Sequence, residues 1–165
     1  MIQPPVSPAH EKSQLWKAIA VAGFAAGTFD ILSACTSAYL RSGVTPPTLL
    51  KFISMAAFGK QAMEGGAEMA ITGLLFHYLI AYSWTTLFFL LYRKVNLEAI
   101  NKVITGLLYG VIIWVVMNLL VLPLTHLPQT GIKLTQAIIG MAILMVAVGL
   151  PVSLFAHQYY QKLKA

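Results

Sequence analysis

The sequence predicts an all-α polytopic membrane protein, with four transmembrane helices plus one amphipathic or re-entrant helix between the first two. Three observations lead there. Of 165 residues, 58% are hydrophobic and only 10% charged, with a mean hydropathy of +0.76, whereas soluble domains carry about 25% charged residues. Four apolar runs reach the roughly 20 residues needed to cross a hydrocarbon core. Basic and turn-forming residues separate these runs, and none alternates as a strand would. A chain of this length and composition makes one membrane domain.

Residues 1–14, MIQPPVSPAHEKSQ, are polar and proline-rich and are expected to be a disordered tail. The first span, 15–40, reads LWKAIAVAGFAAGTFDILSACTSAYL and ends at Arg41-Ser42-Gly43. Thr45-Pro46-Pro47 combines a stop with a helix start. The next segment, 48–63, is too short to span and is interrupted by Lys51 and Lys60, so it is expected to lie at one membrane face. Gly65-Gly66 then breaks the chain between Glu64 and Glu68. The second span, 70–92, carries His77, and Arg93-Lys94 closes it. The third, 103–124, contains Asn118 and Pro123. Leu127-Pro128 and Gly131 supply turn chemistry in the 125–133 loop. The fourth span, 134–157, contains Pro151, which is expected to kink it by removing a backbone donor. Residues 158–165 read as a basic C-terminal tail. Ile-Thr-Gly-Leu-Leu occurs at 71–75 and again at 104–108, a match expected from shared apolar composition.

The formal net charge of +6 is explained by basic residues at span ends, without the basic–aromatic interleaving of a nucleic-acid surface, so no nucleic-acid partner is expected. Lys12, Lys17, Arg93, Lys94, Lys102, Lys162 and Lys164 fall on one side, and Arg41, Lys51, Lys60 and Lys133 on the other. The richer side is expected to be cytoplasmic and to hold both termini, with the 41–69 and 125–133 loops outside. Cys35 is the single cysteine, which excludes an internal disulfide and a multi-cysteine metal site. Leu32-Ser33-Ala34-Cys35 resembles a lipoprotein cleavage site. Asp30 inside the apolar run, and the run's continuation to Leu40, argue against a signal peptide.

The polar residues inside the spans are few. A charge at mid-membrane costs roughly 2.5–3.5 kcal/mol on insertion scales, so Asp30 is expected to turn away from lipid. Gly23, Ala26, Ala34 and Ser37 lie within about 40° of it on a helical wheel, which makes that face one of close helix approach. Counted from the outer ends of their spans, Asp30 lies about 15 Å deep, and His77 and Asn118 about 9 Å deep. Glu64 and Glu68 sit just outside. The five residues Asp30, His77, Asn118, Glu68 and Glu64 therefore form the candidate binding cluster, in the outer half of the bundle. Such a set can carry protons, hold a divalent metal with nitrogen and oxygen ligands, or hold a lipid head group or small polar solute. It can equally just specify helix packing, since interhelical bonds of this kind contribute about 0.6–2 kcal/mol. Metal binding is the least favoured, because no His-x-x-x-His or Glu-x-x-His spacing occurs on a helix. No cofactor is implied.

The remaining chemistry is spare. Trp16, Trp84, Tyr92, Tyr109, Tyr159 and Tyr160 lie mostly near span ends and are expected to be interfacial anchors. His157, beside the basic tail, is expected to be solvated. No Gly-x-Ser-x-Gly elbow, P-loop or Gly-x-Gly-x-x-Gly occurs, so an enzyme is the least supported class.

The runs GFAAGTFDILSA, FGKQAMEGGAEMAITGLLFHYLIA and GLLYGVIIWVVMNLLVLPL resemble a group of small, uncharacterised bacterial inner-membrane proteins with four predicted spans. The resemblance covers about residues 18–160. It rests on Gly-Thr-x-Asp, Gly-Gly, Gly-x-x-x-His, Met-Asn and Leu-Pro-Leu. It implies a bacterial inner-membrane location and four spans, and brings no mechanism and no catalytic residues. The expected function is binding or conducting a proton, cation or small polar solute at the outer-half cluster. The alternative is a structural or accessory subunit, either a homo-oligomer or part of a larger membrane complex.

Overall fold

The computed structural model describes residues 8–127 and 133–163, with side chains from Ser13 onward. It is a helical bundle, and among the described residues there is no strand. Helix α1 runs Pro8–Ser42, α2 Pro46–Phe58, α3 Gln61–Glu64 and α4 Ala67–Lys94. After a 3-10 turn at Leu97–Ala99, α5 runs Lys102–Val116 and continues through a π-helical segment, Met117–Val121, into a second 3-10 turn, Leu122–Leu124. Helix α6, Leu134–Ile143, joins α7, Leu150–Lys162, through a π-helical segment, Leu144–Gly149. Four stretches are long and apolar enough to cross a membrane: Ser13–Ser42, Ala67–Lys94, Lys102–Leu124 and Leu134–Lys162.

Several helix ends differ from the sequence expectation. Seven residues of the expected tail, from Pro8 to Gln14, are helical. Proline is at home in the first turn, where its missing N–H has no partner to lose, and the Ala, Glu, Lys and Gln that follow are good helix formers. Residues 1–7 lie outside the described residues. At the other end the helix runs on to Lys162, so most of the expected basic tail is part of the fourth span's helix; residues 164–165 lie outside the described residues, as do Pro128 and Gly131. The 48–63 segment is two helices. Gly59, at φ +68°, stops α2 and leaves a single turn, α3, before the Gly65-Gly66 break.

Helix α2, at 13 residues, is too short to span and packs across the first turns of α4. Ser54 Oγ donates to Met69 O at 2.5 Å, and a β-carbon at Gly73 would collide with the Leu50 carbonyl. The far end of α2 is tied to the chain after the third span, where His126 N–H donates to Ala56 O at 3.1 Å. This end of the bundle is called the α2 end below. The start of α1 and the end of α7 share the opposite, terminal end, where Ile19 and Ala22 pack with Val152, Ala156 and Tyr160.

Proline shapes both π segments. Pro123 and Pro151 cannot donate to the carbonyls of Leu119 and Ala147, and each ring crowds that carbonyl. The helix widens just before each proline instead of breaking, so the expected kink at Pro151 takes the form of a π segment. The second π segment lies against α5. Gly106 and Gly149 meet backbone to backbone, and a β-carbon at Gly110 would overlap Met145 Cα. In lipid, helices gain little from hydrophobic burial and associate through such close backbone packing.

The densest core lies at the terminal end. Phe88, Phe89 and Tyr92 of α4 meet Tyr109 and Ile113 of α5, and Val148, Val152 and Tyr160 of the fourth span. Tyr92, Tyr109 and Tyr160 are therefore core residues, which corrects their expected role as interfacial anchors. Their hydroxyls find partners: Tyr109 donates to Trp84 O at 2.6 Å and Tyr160 to Phe89 O at 2.7 Å. Tyr92 Oη lies 2.9 Å from His157 Nδ1, so His157 is half-buried and bonded rather than solvated. Being near a span end does not tell an inward tyrosine from an outward one. A buried tyrosine needs only one nearby carbonyl or imidazole.

The glycine contacts give the first prediction. Gly110→Ala should lower stability in detergent by about 1–3 kcal/mol, since backbone must move to admit the methyl group. Gly140→Ala, whose β-carbon would meet only the Trp114 indole at 3.3 Å, should change it far less. Thermal unfolding of the two variants checks this.

Candidate functional site

The site is built on the seam between α1 and α4. Glycines at 23 and 27 strip one face of α1, and tyrosine rings of α4 fill the space: Tyr82 against Gly23 and Tyr78 against Gly27. Tyr78 and Tyr82 also reach polar partners on α1. Thr28 Oγ1 donates to Phe24 O at 2.7 Å, so the Tyr78 hydroxyl, 2.8 Å away, is the donor to Thr28. Tyr82 donates to Ala20 O at 3.3 Å.

The close approach brings His77 of α4 against the α1 backbone. Its Nε2 lies 2.8 Å from Gly27 O. A carbonyl only accepts, so Nε2 carries the proton and donates it. This bond sets the ring's direction. The other nitrogen, Nδ1, points toward Asp30, 4.0 Å from Oδ2, with the His77 and Asp30 side chains 11% and 22% exposed. That separation exceeds a direct hydrogen bond, which spans about 2.7–3.2 Å. No hydrogen bond to Asp30 is found among the described residues. The carboxylate thus faces one lone pair across a short gap. Asp30 thus turns toward α4 and away from lipid, as expected, and two of the five clustered residues, Asp30 and His77, face each other. With α4 starting at Ala67, His77 sits about 15 Å from the start of its helix, deeper than expected and closer to the level of Asp30.

The rest of the expected cluster does not join them. Asn118 Nδ2 donates to Trp114 O at 2.9 Å on its own helix. Glu68 Oε1 accepts from Gly66 N–H at 2.6 Å, closing the start of α4 on itself. Glu64 is exposed at the end of α3. Asn118 and Glu68 thus serve their own helices, as donors and acceptors near helix breaks usually do. Among the described residues, no three His, Cys, Asp or Glu side chains come together as a metal-binding set.

Gly27, which orients the imidazole, lies outside the sequence-based face. It is about 60° from Asp30 on the wheel, beyond the 40° window. The readable signal was Gly23-Phe24-Ala25-Ala26-Gly27, a Gly-x-x-x-Gly run inside an apolar span.

In comparisons with known proteins, no family model, curated protein or solved structure matches this chain.

The geometry predicts energetic coupling across the seam. Asp30→Asn and His77→Gln should each destabilise the protein in detergent, and the double variant should fall short of the sum by about 0.5–3 kcal/mol, the range for sites in contact. A double-mutant cycle by thermal or denaturant unfolding measures it.

Proposed function

We propose that this is a multi-pass protein of a bacterial inner membrane that binds and passes on a proton at the Asp30–His77 pair. The observation that carries the reading is the commitment of His77 Nε2–H to Gly27 O, which leaves the Nδ1 lone pair facing a carboxylate oxygen at 4.0 Å. Two acceptors facing each other in a low-dielectric interior repel unless a proton sits on one of them. With one proton the pair is neutral overall, as carboxylic acid with imidazole or as carboxylate with imidazolium. With none it is an unpaired buried anion, and with two an unpaired cation, both costly in a membrane. The 4.0 Å gap suits a small side-chain shift or one bridging water as the route for that proton.

The orientation belongs to the same proposal. Seven basic residues on the terminal side against four on the other support a cytoplasmic location for both chain ends. Reporter fusions at both ends and within the 125–133 loop read it: the ends should report cytoplasm and the loop the opposite side.

The proton itself can be counted. On acidification in weak buffer, the purified protein should take up about one more proton than Asp30→Asn, since the pair moves from anionic to neutral. A carboxylic C=O band in infrared difference spectra should appear or shift in the wild type and be missing from the variant. Equal uptake with an unchanged spectrum contradicts the reading.

A further inference from the structure

At the level of the pair, two adjacent bonds between consecutive residues close the seam between α1 and α4. His77 bonds Gly27 O at 2.8 Å, and Tyr78 bonds Thr28 Oγ1 at 2.8 Å. The second bond is relayed, because Thr28 donates its own hydrogen to Phe24 O at 2.7 Å. The Tyr78 ring lies over the same stretch of α1. It stacks on Phe24 with centroids 5.9 Å apart and 8° between the planes, and a β-carbon at Gly27 would sit 3.0 Å from it. The His77 ring meets it edge-on, at 5.5 Å and 73°. Tyr78 therefore touches the imidazole, the glycine whose carbonyl the imidazole bonds, and the residue after that glycine.

The imidazole has a competing choice. A neutral ring with its proton on Nδ1 would aim an N–H at the Asp30 carboxylate, and bonds to a charged acceptor are the stronger kind. Two distances oppose that choice. Nδ1 is 4.0 Å from Oδ2, too far for a direct bond, and a bare Nε2 would face the Gly27 carbonyl at 2.8 Å, lone pair to lone pair. The tautomer thus depends on the α1 backbone staying close to α4 at this level.

We propose that Tyr78 and Thr28 are positioning residues for the Asp30–His77 pair: their bond holds the Gly27 carbonyl against His77 and so keeps the bare nitrogen turned to the carboxylate. The proposal rests on the reading of that pair as a proton site and names what holds the site in shape. With the tether lost, the seam relaxes, an Nδ1–H turns to Asp30, and the carboxylate is satisfied without a further proton. Tyr82 is the natural comparison. It also packs on a glycine of α1 and bonds a carbonyl there, but its partners, Gly23 and Ala20 O, lie one and two turns from Gly27.

Nitrogen-15 NMR of the full chain in detergent, labelled at histidine, reads the tautomer of neutral His77, with His77→Gln assigning the signal. Tyr78→Phe and Thr28→Val keep the shape of each side chain and delete the tether. Each should lower the ratio of Nε2–H to Nδ1–H at least about threefold, the scale of one lost hydrogen bond. The double variant should go no further than Tyr78→Phe, because both changes delete the same bond. Thr28→Ser keeps the hydroxyl and should keep the wild-type ratio. Tyr82→Phe deletes the neighbouring bond and should leave the ratio unchanged even where it lowers stability. The proposal is overturned by a wild-type ratio in Tyr78→Phe or Thr28→Val, by an equal shift in Tyr82→Phe, or by a Thr28→Ser ratio as low as that of Thr28→Val. The proton reading is tested apart, by the uptake lost in Asp30→Asn. A shifted tautomer in Tyr78→Phe, with equal uptake in the wild type and Asp30→Asn, upholds the clamp and removes the proton reading. An unshifted tautomer in Tyr78→Phe, with uptake lost in Asp30→Asn, removes the clamp alone.

Discussion

A single hydrogen bond, from His77 Nε2–H to the Gly27 carbonyl, decides what Asp30 faces. It exists because α1 carries no side chain at position 27, so that the α4 side chains can reach its backbone. An imidazole has two nitrogens with opposite roles, and tying one to a carbonyl dictates the role of the other. The seam therefore does more than join two helices. It presents a lone pair to a carboxylate on a largely buried seam, with the two side chains 11% and 22% exposed. Glycines that would weaken a soluble helix by about 1 kcal/mol each here permit the contact on which the site depends.

The rest of the bundle divides its labour along the axis. At the terminal end, the aromatic side chains of α4 and α5 fill the centre, and tyrosine hydroxyls give a second donor to carbonyls of α4. At the α2 end the first, third and fourth spans bury no residue in 32–42, 114–124 or 134–146, and the short helix α2 bridges the start of α4 and the chain after the third span. The Asp30–His77 pair lies between the two regimes. The two π segments add to this asymmetry, because each widens a span where proline has removed a donor. One of them is held against α5 by Gly106, Gly110 and Gly149.

What the sequence revealed, and what it hid, follows from the same physics. The four spans were legible because hydrophobic length has one main interpretation. Asp30 and His77 were legible as partners because a costly polar group must turn inward and their expected depths fell within about one helical turn of each other; the earlier start of α4, at Ala67, brings them closer still. Asn118, Glu64 and Glu68 were gathered in by depth alone, which says nothing of direction. Asn118 and Glu68 lie at a helix irregularity and a helix start, where a nearby backbone group is the cheapest partner, and Glu64 stays exposed at the end of α3. The tyrosines near span ends were misplaced because an amphipathic ring suits both the lipid interface and a core with a free carbonyl. Gly27 escaped because the seam is wider than the wheel sector drawn around Asp30. The extra helical turns at Pro8–Gln14 and at the C-terminal end were hidden because polar composition suggested tails, although most of these residues are good helix formers.

The central claim concerns one proton position, and nitrogen-15 NMR of the His77 side chain reads it directly. With the protein labelled at histidine in detergent or nanodiscs, the nitrogen shifts of neutral His77 should show Nε2 protonated and Nδ1 bare, and His77→Gln should remove that signal. A neutral His77 protonated at Nδ1, or one with both tautomers equally populated, would contradict the account.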